Sequence, residues 1–149
     1  MLLNQTAEYA LRAMAVLAER WPDGRVTSAE LAEGANIPGH YVSKVMRRLV
    51  LSRLVDAQRG HGGGFRLSRA PGRITFMQVL EAVDFQAEEQ RCAFGFGRCN
   101  PQKPCALHPA WSALNEGFMG WARATTLSSA SPGAVVAAVR HTSGAGPTG

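Results

Sequence analysis

The chain has 149 residues, of which 46% are hydrophobic, and this size suits one globular domain with a short appendage. Its 16 Lys and Arg residues outnumber its 11 acidic residues, which gives a formal net charge of +5. Three cysteines are too few, and odd in number, for a disulfide framework, and no apolar run is long enough to predict a membrane span.

The first predicted element is an amphipathic helix over about residues 6–20, where apolar residues recur at helical spacing. Glu8, Arg12 and Glu19 interrupt its apolar character. The segment also lacks a basic lead and a small-residue cleavage site, so it does not resemble a signal peptide. We therefore expect a cytoplasmic protein.

Two more helices follow, joined by a short turn. Thr27 and Glu30 form a capping box that predicts a short helix ending near Gly34. Pro38 suits the first turn of a third helix, predicted over residues 39–52, with apolar residues on one side and basic ones on the other. This arrangement predicts a helix–turn–helix, whose second helix enters the major groove of duplex DNA.

A β-hairpin is predicted next, with strands at residues 54–58 and 65–68. The connecting sequence is Arg59-Gly60-His61-Gly62-Gly63-Gly64, and a glycine-rich hairpin after a helix–turn–helix is typical of a wing. A P-loop is excluded because no Lys-Ser/Thr pair opening a helix follows the glycines. A flexible linker is the alternative, although the alternation in residues 65–67 favours a paired strand.

Basic residues are concentrated on these elements, with eight between residues 44 and 73 against one acid, Asp56. A charge run alone is often only a solvated surface, but its placement on a helix–turn–helix and wing predicts a polyanionic partner. We expect base contacts from the front of the third helix, at His40, Tyr41, Ser43 and Lys44. We expect phosphate contacts from Arg47, Arg48, Arg59 and Arg66, and a minor-groove contact from His61 at the wing tip.

Two more helices are predicted after the wing. Thr75 and Gln78 form a second capping box, which predicts a short helix ending near Asp84, and a last helix starts near residue 108. An apolar stripe on the last helix predicts either a dimer interface, which we favour, or packing on its own domain; its members are Trp111, Leu114, Phe118 and Trp121. The tail from residue 128 is rich in Ser, Gly, Ala and Pro and is expected to be flexible.

Between these two helices lies a cysteine-containing segment, in which Cys92, Cys99, Cys105 and His108 have the spacing C-x6-C-x5-C-x2-H. Soft thiolates bind zinc, copper(I) or iron–sulfur clusters. The spacing is wider than that of a short zinc knuckle and favours a cluster. Zinc and three unligated thiols are the alternatives, and His108 is either a ligand or simply the residue before Pro109 at a helix start.

Three segments carry a resemblance to a known family: EYALRAM at residues 8–14, RGHGGGFRL at residues 59–67, and residues 92–111. Together they resemble the Rrf-two family of bacterial regulators, which includes IscR-, NsrR- and RirA-like proteins. The resemblance covers about residues 1–127. It implies a winged-helix domain, a long C-terminal helix that forms a homodimer, and in many members an iron–sulfur cluster that senses iron–sulfur status, iron, nitric oxide or redox state.

The resemblance also implies a ligand set, with Cys92, Cys99 and Cys105 matching the three cluster cysteines of the family. His108 matches the histidine that IscR-like proteins use as fourth ligand. The first cysteine gap is six residues, where IscR-like proteins have five. Glu8 stands where some relatives supply an acidic ligand from the other subunit, so the fourth ligand remains open between His108 and Glu8. We expect a 2Fe–2S cluster in preference to 4Fe–4S.

The predicted fold is mostly α with a small β-hairpin. We expect a winged helix–turn–helix DNA-binding domain over residues 1–85, a cluster-binding loop over 86–108, a dimerisation helix over 109–127 and a flexible tail over 128–149. The expected function is a DNA-binding transcriptional regulator, with repression the commoner mode, acting on a pseudo-palindromic operator as a homodimer. An enzyme is not expected, because the sequence has no nucleophile–base pattern, carboxylate pair or C-x2-C motif. The alternative is a cluster-free regulator of the same family that responds to a small ligand or a partner protein.

Overall fold

The computed structural model describes residues 3–85 and 100–129. In these ranges the predicted mostly helical fold with one hairpin is confirmed. The elements in chain order are α1 (Gln5–Glu19), α2 (Ser28–Gly34), α3 (Gly39–Leu51), β1 (Val55–Gln58), β2 (Gly64–Leu67), a 3-10 helix (Pro71–Arg73), α4 (Phe76–Ala82) and α5 (His108–Ala124). No helix of the described ranges is both long and apolar enough to cross a bilayer.

Side-chain caps define the starts of three helices. The Asn4 side chain accepts a hydrogen bond from the Ala7 backbone N–H at 2.8 Å and begins α1. Both predicted capping boxes are confirmed, at the starts of α2 and α4. In the first of them the Thr27 backbone N–H donates to the Glu30 carboxylate at 2.8 Å, and this bond holds the pKa of Glu30 below its usual value.

One apolar core joins the helices and the hairpin. Its largest fully buried side chains come from α1, α2, α3, β1, β2 and α4, among them Met14, Leu17, Leu31, Met46, Leu49, Leu67 and Leu80. In the described part of the chain no polar or charged side chain is buried. Removing this apolar surface from water is the main stabilising contribution to the fold.

The last helix is attached to the same core. Met119, Ala122 and Leu127 are buried with the residues of α4. The chain after α5 then pairs with the segment that leads into α4, because the Leu127 N–H donates to the Ile74 carbonyl at 3.0 Å and the Phe76 N–H to the Thr125 carbonyl at 2.9 Å. Helix α5 is therefore held at its C-terminal end by the α4 side of the domain.

Candidate nucleic-acid interface and metal ligands

The outer face of α3 presents polar and basic side chains to solvent. His40, Ser43, Lys44 and Arg47 are exposed, while the opposite face is buried in the core through Val42, Val45, Met46 and Leu49. The amphipathic pattern places the exposed residues on one side of a helix that follows α2 after a short turn. This is the geometry of a recognition helix in a helix–turn–helix.

Tyr41 differs from the other residues at the front of α3 because it is half-buried. Its ring meets the ring of Tyr9 of α1 edge-on, with 5.3 Å between centroids. The His40 ring lies beside it at a tilt of 47°, with 4.8 Å between centroids, and the Lys44 ammonium lies 6.0 Å from the Tyr41 centroid. Tyr41 thus connects α1 to the side chains at the front of the recognition helix.

The predicted wing is present and has a third partner. Strands β1 and β2 pair antiparallel, with Val55 opposite Leu67 and Gln58 opposite Gly64. Val26, in the segment before α2, exchanges two backbone hydrogen bonds with Phe65, both at 2.8 Å. The pairing of Val26 was not predicted, because a single residue between two helices carries no strand pattern. It fixes the wing to the start of the helix–turn–helix.

Gly64→Ala should destabilise the wing, since Gly64 has φ +131° and a Cβ there would lie 2.7 Å from the Val26 carbonyl oxygen. Strained backbone costs about 1–3 kcal/mol and the collision adds to it, so we expect a loss of roughly 3 kcal/mol in the free energy of unfolding. Thermal or urea unfolding measures the effect. The matched control is Gly62→Ala, with φ +72° but open space around the Cβ, which should cost about 1 kcal/mol. Equal losses in the two variants would show that the contact with Val26 contributes nothing.

A cleft of about 520 Å³ lies between the recognition helix and the wing. Hydroxyl groups from the start of α2 and from Ser43 lie along it, and Val50 and Leu51 give it an apolar part. Arg47 of α3 and Arg59 of the wing also line it. In the described ranges neither arginine has a hydrogen-bond or ion-pair partner, so both guanidinium groups are available to an anionic strand.

The other two predicted phosphate contacts have partners within the chain. Arg66 lies 3.9 Å from the Asp56 carboxylate across the wing, and both side chains are about half exposed. An exposed pair at that distance is weak, and it leaves the guanidinium accessible. Arg48 is bound more firmly, because its Nη1 donates to the Val83 carbonyl at 2.9 Å and lies 3.3 Å from the Asp84 carboxylate. His61 is exposed at the tip of the wing.

The predicted apolar stripe of α5 is divided between two faces of the helix. Phe118 packs inward against Phe85, with 6.0 Å between ring centroids, and Trp111 is half-buried. Leu114 is 53% exposed, and Trp121 is 46% exposed while one side of its ring meets Phe76 of α4 edge-on, with 5.2 Å between centroids. Leu114 and Trp121 belong to a line of exposed residues at alternating spacings of three and four, which we name the α5 seam: Leu107, Ala110, Leu114, Gly117, Trp121 and Ala124. A seam with this heptad spacing is typical of a helix that pairs with another helix.

Two of the predicted metal ligands lie in the described ranges beside the start of α5. Cys105 is exposed and forms no disulfide, and His108 is the first residue of the helix. The His108 backbone N–H donates to the Cys105 carbonyl at 3.0 Å, so the two residues share one turn. A thiolate and an imidazole on an exposed turn suit zinc or an iron–sulfur cluster. Cys92 and Cys99 lie outside the described residues.

Glu8, the alternative fourth ligand, lies on α1 and is partly exposed. Its carboxylate is 3.9 Å from the Arg12 guanidinium, a long and partly solvated ion pair. Within residues 3–85 and 100–129, no three potential ligands are grouped closely enough to hold a metal ion.

The sequence of this chain is similar to those of known transcriptional regulators. Residues 3–131 match the family model described as "Rrf2: Iron-dependent Transcriptional regulator". The HTH-type transcriptional regulator IscR of Klebsiella pneumoniae is 33% identical over 127 residues, covering 85% of this chain and 77% of that protein. IscR of Cronobacter sakazakii is 32% identical, covering 85% and 78%.

Solved structures share the fold. CymR, the global cysteine regulator of B. subtilis, superposes with a TM-score of 0.73 at 20% identity, covering 87% of this chain and 95% of that one. T. potens IscR superposes with a TM-score of 0.67 at 18% identity, covering 97% and 93%. At these identities the likeness concerns the fold alone.

Proposed function

Because this chain belongs to the Rrf2 family of transcriptional regulators, and is a regulator of the IscR type and not an enzyme, we propose that it binds operator DNA as a homodimer under control of an iron–sulfur cluster. The observation that carries the DNA-binding part is the cleft between α3 and the wing, with two unpaired arginines on opposite sides. We also propose repression, the commoner mode in such regulators. The alternative is a cluster-free regulator that answers to a small ligand or a partner protein.

In the proposed complex, α3 lies in the major groove and the wing follows the adjacent backbone. His40, Ser43 and Lys44 reach base edges, and Tyr41 joins them while its ring rests on Tyr9. Arg47, Arg59 and Arg66 contact phosphates, and His61 enters a minor groove. The exposure of these side chains and the position of the two arginines in the cleft support this docking.

The proposed homodimer uses the α5 seam. Three large apolar residues, Leu107, Leu114 and Trp121, are each about half exposed, and contiguous apolar surface of this kind marks an interaction site. The small residues Ala110, Gly117 and Ala124 alternate with them and leave room for a second helix to approach closely. A second copy of the same helix is the occupant we propose. A twofold axis that relates the two α5 helices would present two α3 helices to a pseudo-palindromic operator.

The proposed cluster site takes its ligands from Cys92, Cys99 and Cys105, with His108 or Glu8 as the fourth. When bound, a 2Fe–2S cluster, favoured over 4Fe–4S, supplies a centre whose charge and integrity respond to redox state, iron supply or nitric oxide. Zinc is the less favoured metal. The position of Cys105 and His108 at the start of α5 supports a link to the seam, because any change in that turn acts directly on the first turn of the helix.

Removing an arginine that contacts phosphate should lower both DNA affinity and its dependence on salt. Each phosphate contact contributes about 0.9 to the slope of log K against log salt, so we expect Arg59→Ala and Arg47→Ala each to reduce the slope by about that amount. The probe is a duplex selected by the wild-type protein from a random library, titrated over a range of salt concentrations by fluorescence anisotropy.

The control for this measurement is Arg73→Ala, which removes the same charge from the exposed 3-10 helix outside the cleft. That variant should bind with nearly the wild-type slope. If Arg47→Ala and Arg59→Ala also keep the wild-type slope and affinity, the docking of the cleft on the DNA backbone is wrong. Failure of the wild-type protein to select any duplex would contradict the proposed function as a whole.

A further inference from the structure

Helix α4 ends in a Schellman motif whose left-handed residue is Asp84. The Phe85 N–H donates to the Leu80 carbonyl at 3.0 Å and the Asp84 N–H to the Glu81 carbonyl at 3.1 Å, while Asp84 has φ +56°. Glycine is the usual residue at this position because a side chain is strained there. Aspartate tolerates this conformation less well than glycine, but it brings a carboxylate that glycine lacks.

The contact is with Arg48 of the recognition helix. The Arg48 Nη1 atom lies 3.3 Å from the Asp84 carboxylate and donates to the Val83 carbonyl at 2.9 Å. A cation at the C-terminal end of a helix is favoured by the helix dipole and by the unpaired carbonyls there. The Asp84 side chain is 81% exposed, so the ion pair adds little to overall stability. Its effect is on geometry, since it directs the guanidinium to the end of α4.

The same short segment also contacts the last helix. We name residues 83–85 the α4 corner. Its final residue, Phe85, meets Phe118 of α5 edge-on, with 6.0 Å between ring centroids. The α4 corner is thus bound to the recognition helix on one side and to the helix that carries the α5 seam on the other.

We propose that Arg48 is a positioning residue and not a phosphate contact: through the α4 corner it holds the recognition helix at a defined angle to α5. This inference rests on the proposed DNA-binding function and on the homodimer that the α5 seam would form. In such a dimer the angle between α3 and α5 determines how far apart the two recognition helices lie. Specific binding needs that separation to match the operator, whereas non-specific binding does not.

Asp84→Gly separates the two possible roles of Arg48, because the two roles predict opposite changes in affinity for the selected duplex. The substitution removes an acid and the ion pair that occupies Arg48, so a phosphate-binding Arg48 would bind DNA more tightly and increase the salt slope. A positioning Arg48 would keep only its hydrogen bond to the Val83 carbonyl and be held less firmly, so specific affinity would fall. Glycine also relieves the backbone strain at φ +56°, so the variant should fold at least as stably as the wild type.

The experiment compares wild type, Asp84→Gly, Arg48→Ala and the double variant on two probes: a duplex selected by the wild type from a random library and a scrambled duplex of equal length. We expect Asp84→Gly and Arg48→Ala each to bind the selected duplex roughly three- to tenfold more weakly, with unchanged salt slope. Binding to the scrambled duplex should not change. The double variant should bind like Arg48→Ala, because Arg48→Ala already removes the contact with Asp84.

Equal or tighter binding of the selected duplex by Asp84→Gly, with its melting temperature maintained, would overturn the inference. A salt slope in Arg48→Ala reduced as in Arg47→Ala would also overturn it. Either result leaves the proposed function standing, because the wild type has then selected its duplex. If the wild type selects no duplex, the proposed function fails and this inference fails with it.

Discussion

Leu114→Glu in α5 is expected to convert the proposed dimer into a monomer and to lower affinity for the selected duplex by about a hundredfold to ten-thousandfold. The side chain is 53% exposed at the centre of the α5 seam and points away from the core, so the isolated chain should still fold. In the dimer, however, the substitution would bury a carboxylate against apolar residues of the partner helix, which costs far more than the lost leucine contact. A monomer would then bind one half-site without the effective concentration that the second supplies.

Light scattering measures the mass directly, since the dimer has twice the 16.0 kDa of the chain. The matched control is Leu51→Glu, the same change at a leucine that is 72% exposed on α3 and outside the seam. That variant should keep the dimer mass, although its position in the cleft would weaken DNA binding. A dimeric Leu114→Glu protein with a wild-type melting temperature would show that the α5 seam is not the interface.

Cys105→Ser is expected to abolish iron and sulfide loading of the anaerobically purified protein. A hydroxyl is a hard and much weaker ligand than a thiolate for the soft metals in question. Because Cys105 is exposed and forms no disulfide, the metal-free variant should melt like the metal-free wild type. Iron and sulfide analysis with visible absorption measures loading, and Cys92→Ser and Cys99→Ser should behave in the same way.

The fourth ligand is resolved by three further variants assayed in parallel. His108→Ala or Glu8→Gln should lower loading or alter the spectrum, according to which of them binds. The control is His40→Ala, which removes an exposed histidine from the recognition helix and should leave loading unchanged. If the wild-type protein stays colourless after reconstitution, the proposal that it binds an iron–sulfur cluster is wrong. Its zinc content would then distinguish a zinc site from a regulator that binds no metal.

Local patterns determine much of this fold, which explains why the helices could be predicted closely. The capping boxes at Thr27 and Thr75 depend only on residues three apart, so the starts of α2 and α4 are readable from the sequence. The apolar spacing of α3 likewise predicts its buried face, because side-chain direction repeats every 3.6 residues. The wing is predictable for the same reason, since its glycine-rich turn lies between its own two strands.

Contacts between distant segments could not be predicted in this way. Nothing in the neighbourhood of Val26 indicates a strand, because its partner Phe65 is 39 residues away. Arg48 looks in sequence like its neighbour Arg47, yet it is anchored to the end of α4 while Arg47 lines the cleft. The apolar stripe of α5 is also ambiguous, since Phe118 and Leu114 have the same chemical character and only the position of Phe85 shows which of them faces inward.

The sequence by itself determined the order and limits of the helices, the glycine-rich wing, the basic face of α3 and the set of candidate metal ligands. The helices and the wing follow from chemistry that acts within a few residues: capping, apolar periodicity and the conformational freedom of glycine. The candidate metal ligands follow from the cysteine spacing and from the resemblance to the Rrf2 family. The tertiary structure alone decided which arginines are available to DNA, which side of α5 is open to a partner and how the wing is held. Those features depend on which surfaces meet when the core closes, and packing between distant segments sets that outcome.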